Sequence, residues 1–128
     1  MDIKKLEQTC ERIIQFEKRG GLVPVITQDS GSKDILMLAY ANREALDKTI
    51  QTNYATFWST SKNKLWTKGE NSGNKLRIEN ILVDCDQDAL VYQVTSEGDG
   101  ACHTVDELGK HRESCFYRKI ARAGVDYL

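Results

Sequence analysis

The fold and the chemistry of this chain depend on one stretch, KLRIENILVDCDQDALVYQVT, which spans residues 75–95. Two runs rich in β-branched and aromatic residues, Lys75–Cys85 and Ala89–Thr95, predict neighbouring strands. Where the runs meet, three aspartates alternate with a cysteine and a glutamine. If the backbone is extended through Asp88, successive side chains point to opposite faces, so the aspartates share one face and the cysteine lies on the other.

The three aspartates, Asp84, Asp86 and Asp88, predict a magnesium site. Carboxylates packed this closely repel one another unless a cation or several hydrogen-bond donors neutralise them, and hard oxygen ligands suit Mg²⁺ or Ca²⁺. A calcium-binding loop is excluded, because the sixth position from Asp84 is Ala89 instead of glycine and the twelfth is Thr95 instead of glutamate. A solvated acidic turn is the alternative that the pattern alone leaves open.

The rest of the chain predicts an α+β fold with a mainly antiparallel sheet, an N-terminal helix and one further helix. An apolar stripe at helical spacing, which includes Cys10 as a core residue, predicts the first helix over residues 3–18. Asn42 is expected to cap the second helix over 43–52, with Ala45, Leu46 and Ile50 facing the core. The other predicted strands are Leu22–Thr27 and Ile35–Tyr40, which form a hairpin, then Tyr54–Thr60, Leu65–Lys68 and Cys115–Ile120, with a loop between Glu97 and Ser114.

Composition limits the classes of function. With 128 residues and a formal net charge of −1, the chain is expected to be one domain, 1–128, without the basic excess of a nucleic-acid binder. No apolar run has the length of a membrane span, and the N-terminal sequence lacks the features of a signal peptide. The expected location is cytoplasmic, where cysteines are thiols or metal ligands more often than disulfides.

Three cysteines in polar surroundings, Cys85, Cys102 and Cys115, predict a catalytic zinc site. Three protein ligands leave the fourth position of a tetrahedral zinc for water. Their spacing matches no zinc finger, and ordinary buried thiols remain the alternative.

His103 follows Cys102 directly and is predicted to be the catalytic residue, a general base for the activated water. A fourth zinc ligand or a solvated surface histidine is also compatible with its position. His111 lies in a charged run and is expected to be solvated. A nucleophilic Cys102–His103 pair is disfavoured, since adjacent residues of a strand point apart.

A polar segment from Phe57 to Lys75 combines hydroxyls, amides, lysines, glycines and two tryptophans, without a Walker A or dinucleotide-binding pattern. Hydroxyl and amide donors, positive charge and close backbone approach at glycine suit phosphate and ribose recognition. Tryptophans in such a segment are more often core residues than platforms on which a base stacks. The predicted substrate-binding residues are Trp58, Ser59, Lys62, Trp66, Lys68, Gly69, Ser72, Gly73 and Asn74.

These segments, in this order, resemble the phosphoribosyl-AMP cyclohydrolases of histidine biosynthesis, and the resemblance covers about residues 20–120. The matching pieces are Met37-Leu38-Ala39-Tyr40, Glu44-Ala45-Leu46, Phe57-Trp58-Ser59, Leu65-Trp66, Lys68-Gly69-Glu70, Ser72-Gly73-Asn74, Asp84-Cys85-Asp86-Gln87-Asp88, Ala101-Cys102-His103-Thr104 and Ser114-Cys115-Phe116.

This resemblance implies a homodimer with active sites at the subunit interface. It implies one Zn²⁺ per subunit on Cys85, Cys102 and Cys115, drawn from both subunits, and Mg²⁺ on the three aspartates. The implied substrate is an adenine nucleotide with a second phosphoribosyl group on N1, whose N1–C6 bond is opened by water that zinc activates.

The chain departs from the family pattern in four places. Thr60 and Lys62 stand where arginines are usual, and a lysine cannot reproduce the bidentate fork of an arginine on phosphate. Asn71 replaces a threonine, one extra residue lies between Cys85 and Cys102, and the segment between Cys102 and Cys115 is about six residues longer. These departures leave a paralogue that hydrolyses another modified purine nucleotide as one alternative to the cyclohydrolase. The polar surroundings of the cysteines leave a non-catalytic zinc or thiol module as a second alternative.

Overall fold

A computed structural model describes residues 2–128 and has the predicted α+β architecture. A four-stranded sheet is covered on one face by a helix and a two-stranded hairpin, and a second hairpin ends the chain. In chain order the elements are α1 (Ile3–Gln8), a short 3-10 helix (Phe16–Arg19), β1 (Val23–Asp29), β2 (Ile35–Ala41), α2 (Arg43–Thr52), β3 (Thr56–Ser59), β4 (Lys64–Thr67), β5 (Leu76–Val83), β6 (Leu90–Ser96), β7 (Arg118–Ala121) and β8 (Gly124–Tyr127).

The main sheet has the strand order β2-β1-β6-β5. The β1–β2 and β5–β6 pairs are antiparallel, which confirms the mainly antiparallel prediction, whereas β1 and β6 pair in parallel. The parallel pair requires a long crossover, and α2, β3 and β4 belong to it. As a result β2 and β5 lie at opposite edges of the sheet.

The predicted N-terminal helix over 3–18 is wrong in extent. Helix α1 ends at Gln8, and only Phe16–Arg19 is helical again, as a 3-10 turn. In between, the Gln87 side chain accepts from Ile13 N (2.7 Å) and donates to Glu11 O (3.0 Å), so the backbone is held by a distant residue instead of by its own helix. Cys10, expected in the core, is exposed.

Helix α2 agrees with the prediction, and Asn42 caps it by accepting from Ala45 N at 2.8 Å. Ala45 and Leu46 are buried as expected, but Ile50 is exposed and Thr49 takes the inward position. Thr49 is tolerated there because its hydroxyl donates to Ala45 O and accepts from Thr56 N, which satisfies it.

The core lies between the sheet and the α2–β3–β4 layer. On β6 the alternating residues Leu90, Tyr92 and Val94 are buried. The Phe57 ring of β3 lies 5.6 Å from the Tyr92 ring and 5.0 Å from the Trp66 ring, centroid to centroid, so the hairpin packs on the sheet through aromatic contacts.

The C-terminal part differs most from the prediction. Cys115–Ile120 was expected to be a strand, but only Arg118–Ala121 is extended, and it pairs with β8, which the sequence pattern did not indicate. The predicted loop before Ser114 is present, with one isolated bridge between Val105 and His111. Neither α1 nor α2 is long and apolar enough to cross a membrane, and no other helix in residues 2–128 is either.

The Tyr92 hydroxyl yields a stability prediction. Within residues 2–128, Tyr92 Oη and Thr27 Oγ1 are the buried side-chain oxygens without a partner at hydrogen-bond geometry. Burial raises the pKa of Tyr92 to about 12, against a smaller lowering by the neighbouring Thr49 hydroxyl. Removing an unpaired buried hydroxyl removes a desolvation cost, so Tyr92→Phe is expected to raise the free energy of unfolding by about 1 kcal/mol in urea denaturation.

The matched control is Tyr54→Phe, which removes a hydroxyl that donates to Glu97 Oε1 at 2.8 Å on the surface. This control is expected to lose a few tenths of a kcal/mol. A loss of stability in Tyr92→Phe larger than that of the control would contradict the assignment of an unpaired hydroxyl.

Candidate active site

The segment Asp84–Asp88 is a turn, so the condition for the two-face arrangement, an extended backbone through Asp88, is not met. Strand β5 ends at Val83, Asp84 N donates to Ala89 O, and Gln87 has a φ of 55°. The physical reason is the Asp84 side chain, whose Oδ1 accepts from Asp88 N (2.9 Å) and Ala89 N (3.2 Å) and so stabilises a turn.

The turn still gathers the three carboxylates. One carboxylate oxygen each of Asp84, Asp86 and Asp88 lies within 4.8 Å of the others. These are the three residues that the sequence predicted to cluster. A tight turn, and not one face of a strand, brings the oxygens together.

Lys18 and Arg19 partly neutralise this acidic cluster through Asp86 and Asp88. Lys18 Nζ lies 2.6 Å from Asp88 Oδ2 and 3.2 Å from Asp86 Oδ2, and Arg19 NH1 lies 3.0 Å from Asp88 Oδ2. The hydrogen bond from Lys18 holds the pKa of Asp88 well below its usual value, whereas burial raises the pKa of Asp84. Sequence reasoning missed both cations because they lie about 70 residues away, at the end of a segment read as one helix.

Cys102 and Cys115, called the thiol pair below, are close enough for each thiol to shift the pKa of the other. Cys102 is buried, and Cys115 is held at the edge of the main sheet by a backbone bond from its N to Leu36 O at 2.7 Å. Burial opposes ionisation of Cys102, but hydrogen bonds from Thr104 and Cys115 and the charge of Lys68 leave its pKa lowered. Cys115 is exposed as a residue, yet desolvation of its thiol and the neighbouring Cys102 raise its pKa to about 11.

Cys85 does not join this pair within one chain. It lies in the turn after β5, at one edge of the sheet, whereas Cys115 is bonded to β2, the opposite edge. Strands β1 and β6 lie between these edges. Three strand-to-strand steps therefore separate the edge strands by about 14 Å at the usual strand spacing. Among the residues that the structure describes, the three aspartates are the only cluster of three candidate metal ligands.

The two histidines have different surroundings. His103 is exposed beside the buried Cys102. His111, expected to be solvated, is half-buried instead, and its Nδ1 lies 3.0 Å from Cys102 O. The closed loop of residues 105–111 brings it there, and no sequence signal indicated this contact.

The β3–β4 hairpin and the loop after it form a cleft of about 330 Å³. Six predicted substrate-binding residues line it: Ser59, Lys62, Trp66, Lys68, Gly69 and Ser72. The other lining residues are Lys64, Thr67, Asn71 and one acidic residue, Glu70. Lys68 connects the cleft to the thiol pair, because its charge acts on both Cys102 and Cys115. The cleft therefore joins a lysine-rich surface to two thiols.

Three predicted residues are not among those that line this cleft. Trp58 lines a separate cleft of about 570 Å³ beside the N-terminus of α2. Asn74 is buried, and its Oδ1 accepts from Asp99 N at 2.9 Å, which ties the loop to the end of β6. Gly73 N donates to Gly69 O at 2.8 Å and closes the turn. The structure gives Asn74 and Gly73 a part in shaping the loop.

Comparison with known proteins points to a single family. Residues 37–117 match the family model described as phosphoribosyl-AMP cyclohydrolase. The chain is 54% identical over 100 residues to the phosphoribosyl-AMP cyclohydrolase of Nitrosopumilus maritimus, covering 78% of this chain and 92% of that protein. It is 52% identical to that of Archaeoglobus fulgidus (84% and 92%) and 49% identical to that of Hyphomonas neptunium (89% and 81%).

Two glycines of the cleft loop allow a controlled test of its shape. Gly69 and Gly73 both have positive φ, +80° and +81°, but only at Gly69 would a Cβ meet backbone, 2.2 Å from the carbonyl carbon of Asn74. Gly69→Ala is therefore expected to lose about 1–3 kcal/mol more than Gly73→Ala in thermal or urea unfolding, because the neighbouring backbone cannot move aside. Equal losses in the two variants would contradict the close approach.

Proposed function

The chain belongs to the phosphoribosyl-AMP cyclohydrolase family, and we propose that it opens the adenine ring of phosphoribosyl-AMP at the N1–C6 bond in histidine biosynthesis. The observation that carries this proposal is the thiol pair Cys102–Cys115 beside Lys68, at the end of a lysine-rich cleft. Thiols that bind a hydrolytic metal and cations that bind phosphate are the two requirements for this substrate. The cytoplasmic location and the absence of nucleic-acid partners stay predictions.

Cys102 and Cys115 fit two positions of a zinc site. Two neighbouring thiols, one of them more acidic than usual through hydrogen bonds, match the donor set that zinc prefers. Zinc bound there supplies a Lewis acid that lowers the pKa of a water ligand to make it a nucleophile at neutral pH.

His103 is proposed to move the proton. It follows a proposed zinc ligand and is exposed, so its ring is free to take a proton from the attacking water and return it to the ring nitrogen N1. Thiolate ligands make zinc a weaker acid than imidazole ligands do, so an added base has a clear use here.

The cleft lysines are proposed to bind the phosphates of the substrate. Lys62, Lys64 and Lys68 line one cavity with the hydroxyl groups of Ser59 and Ser72. Such a set of cations and hydroxyl donors binds phosphate through charge and hydrogen bonds. A cluster of lysines in one cleft also explains how an enzyme of net charge −1 holds a substrate with two phosphates.

The acidic turn is the proposed magnesium site. Asp84, Asp86 and Asp88 supply closely spaced carboxylate oxygens, the ligands that Mg²⁺ prefers. Lys18 and Arg19 already contact Asp86 and Asp88, so a divalent cation competes with them for the same oxygens. Mg²⁺ would thus displace side-chain cations from Asp86 and Asp88, in a turn whose three carboxylates these cations neutralise only in part.

A second copy of the chain is proposed to complete the zinc site. Two sulfurs on one zinc lie roughly 4 Å apart, far less than the separation of Cys85 from Cys115 across the sheet. Since one chain cannot bring the three thiols together in this fold, Cys85 would come from the partner subunit.

An apolar row on the open face of the sheet is proposed as the surface for this second copy. Leu38 pairs with Ile26, Ile26 with Val91, and Val91 with Leu82, so four apolar side chains form one line across the four strands. Ile26, Leu38 and Leu82 are exposed in the single chain. A continuous exposed apolar line of this kind is typical of a surface that a partner covers.

The proposed function is tested by rescue of a histidine auxotroph that lacks the cyclohydrolase. The wild-type chain is expected to restore growth without histidine, and Cys102→Ser is expected to abolish rescue because it removes a zinc ligand. Cys10→Ser is the matched control, since Cys10 is exposed and lies outside the thiol pair, and it should rescue fully. A well-expressed wild-type chain that fails to rescue would contradict the proposal.

The shared zinc site is tested by intersubunit complementation. Cys85→Ser and Cys102→Ser chains, each inactive alone, are co-expressed with different tags and the mixed dimer is purified through both tags. If the ligands come from two subunits, one of the two sites is intact, so the mixed dimer is expected to show about half the wild-type activity and about one zinc per dimer. A mixed dimer without activity would place all three ligands in one chain.

A further inference from the structure

The segment between Cys102 and Cys115, which is longer than in the family pattern, folds back on itself at the thiol pair. Val105 and His111 form a bridge, and Arg112 N donates to Thr104 O at 3.1 Å. At its tip, Asp106 Oδ1 accepts from Leu108 N (2.9 Å) and Lys110 N (3.0 Å). The added residues therefore form a closed loop that brings its two ends, Thr104 and Arg112, together.

The two ends of this loop contact Cys102. Thr104 Oγ1 lies 2.9 Å from Cys102 Sγ, and Thr104 N donates to the same sulfur at 3.4 Å. Arg112 NH1 donates to Thr104 Oγ1 at 3.0 Å. Because Thr104 Oγ1 accepts from Arg112, the hydroxyl hydrogen is available for donation to the sulfur.

Arg112 is itself fixed from several sides. Its carbonyl oxygen accepts from Cys102 N at 3.0 Å, and its guanidinium lies 4.1 Å from the centroid of the Tyr117 ring. Gly100 allows this approach, since a Cβ there would lie 2.4 Å from Arg112 O. The guanidinium is thus held in place before any ligand binds.

We propose that Thr104 and Arg112 are positioning residues for the Cys102 thiolate, Thr104 by donating two hydrogen bonds to the sulfur and Arg112 by orienting the Thr104 hydroxyl. The inference rests on the proposed zinc site, to which it adds the groups that hold one ligand. Hydrogen bonds to a metal ligand fix its orientation and tune its affinity for the metal. The long loop therefore serves the zinc site directly, by delivering Arg112 to Thr104.

Zinc affinity of the full-length dimer, measured by competition with a chromophoric chelator, tests this proposal. Thr104→Val keeps the shape of the side chain but removes the hydroxyl, and is expected to weaken zinc binding about 10- to 100-fold. Thr104→Ser keeps the hydroxyl and should bind as the wild type does. Thr52→Val, which removes a hydroxyl that donates to Lys48 O on α2, is the control for a threonine remote from the site.

Arg112→Met separates a relay from a structural effect. If Arg112 acts through Thr104, the single variant Arg112→Met is expected to weaken zinc binding. The double variant is then expected to have the same zinc affinity as Thr104→Val, because the interaction is already lost. The thiolate-to-metal absorption band of the cobalt-substituted protein should shift in Thr104→Val and stay unchanged in Thr104→Ser. Wild-type affinity in Thr104→Val, or additive losses in the double variant, would overturn the positioning role.

The same measurements distinguish the two proposals. If Cys102→Ser binds zinc as tightly as the wild type does, the proposed zinc site is overturned, and this inference with it. If Cys102→Ser loses zinc binding but Thr104→Val keeps the wild-type affinity, only the role of Thr104 and Arg112 is overturned. If Thr104→Val does not fold, Arg112→Met and Thr104→Ser decide the question between them.

Discussion

The parallel pairing of β1 with β6 is the constraint on which the rest of the structure depends. It places these two strands at the centre of the sheet and leaves β2 and β5 at the edges. The acidic turn with Cys85 follows one edge strand, and Cys115 is bonded to the other. The order of strands thus separates Cys85 from Cys102 and Cys115, and this separation is the reason why we propose an active site shared between two chains.

Negative groups at the two proposed metal sites are partly compensated by cations and hydrogen-bond donors of the same chain. Three carboxylates meet in the turn after β5, and Lys18 and Arg19 contact two of them. At the other end of the proposed site, Lys68 and the donors around Cys102 favour negative charge on that sulfur. Asp86, Asp88 and Cys102 are therefore already stabilised by cations or hydrogen-bond donors of the chain, and at these groups a metal ion would replace or supplement interactions that exist without it.

The sequence predicted the parts of the fold that local patterns control. The β1–β2 hairpin, the Asn42 cap and the β5–β6 pair follow from alternation, turn residues and capping, which act over a few residues. The sequence predicted that the three carboxylates lie together, but it placed them on one face of a strand. In the structure a turn stabilised by the Asp84 side chain gathers them. Local patterns could identify the residues but not this geometry.

The features that the sequence did not predict depend on contacts between residues far apart in the chain. Gln87 interrupts the expected N-terminal helix through bonds to residues more than 70 positions away, and Lys18 reaches Asp88 over a similar separation. The Arg112–Thr104–Cys102 contacts depend on how the longer loop closes. Periodicity and spacing carry no information about such contacts, because they form only when the whole chain is folded.

The central claim is that zinc sits between Cys102 and Cys115 of one subunit and a third thiol of another. Anomalous diffraction at the zinc absorption edge, from crystals of the zinc-loaded protein, tests it most directly. We expect one peak per subunit, bonded to Cys102, to Cys115 and to Cys85 of the partner subunit. A peak bonded to other side chains, or one that takes Cys85 from the same chain as Cys102, would contradict this account.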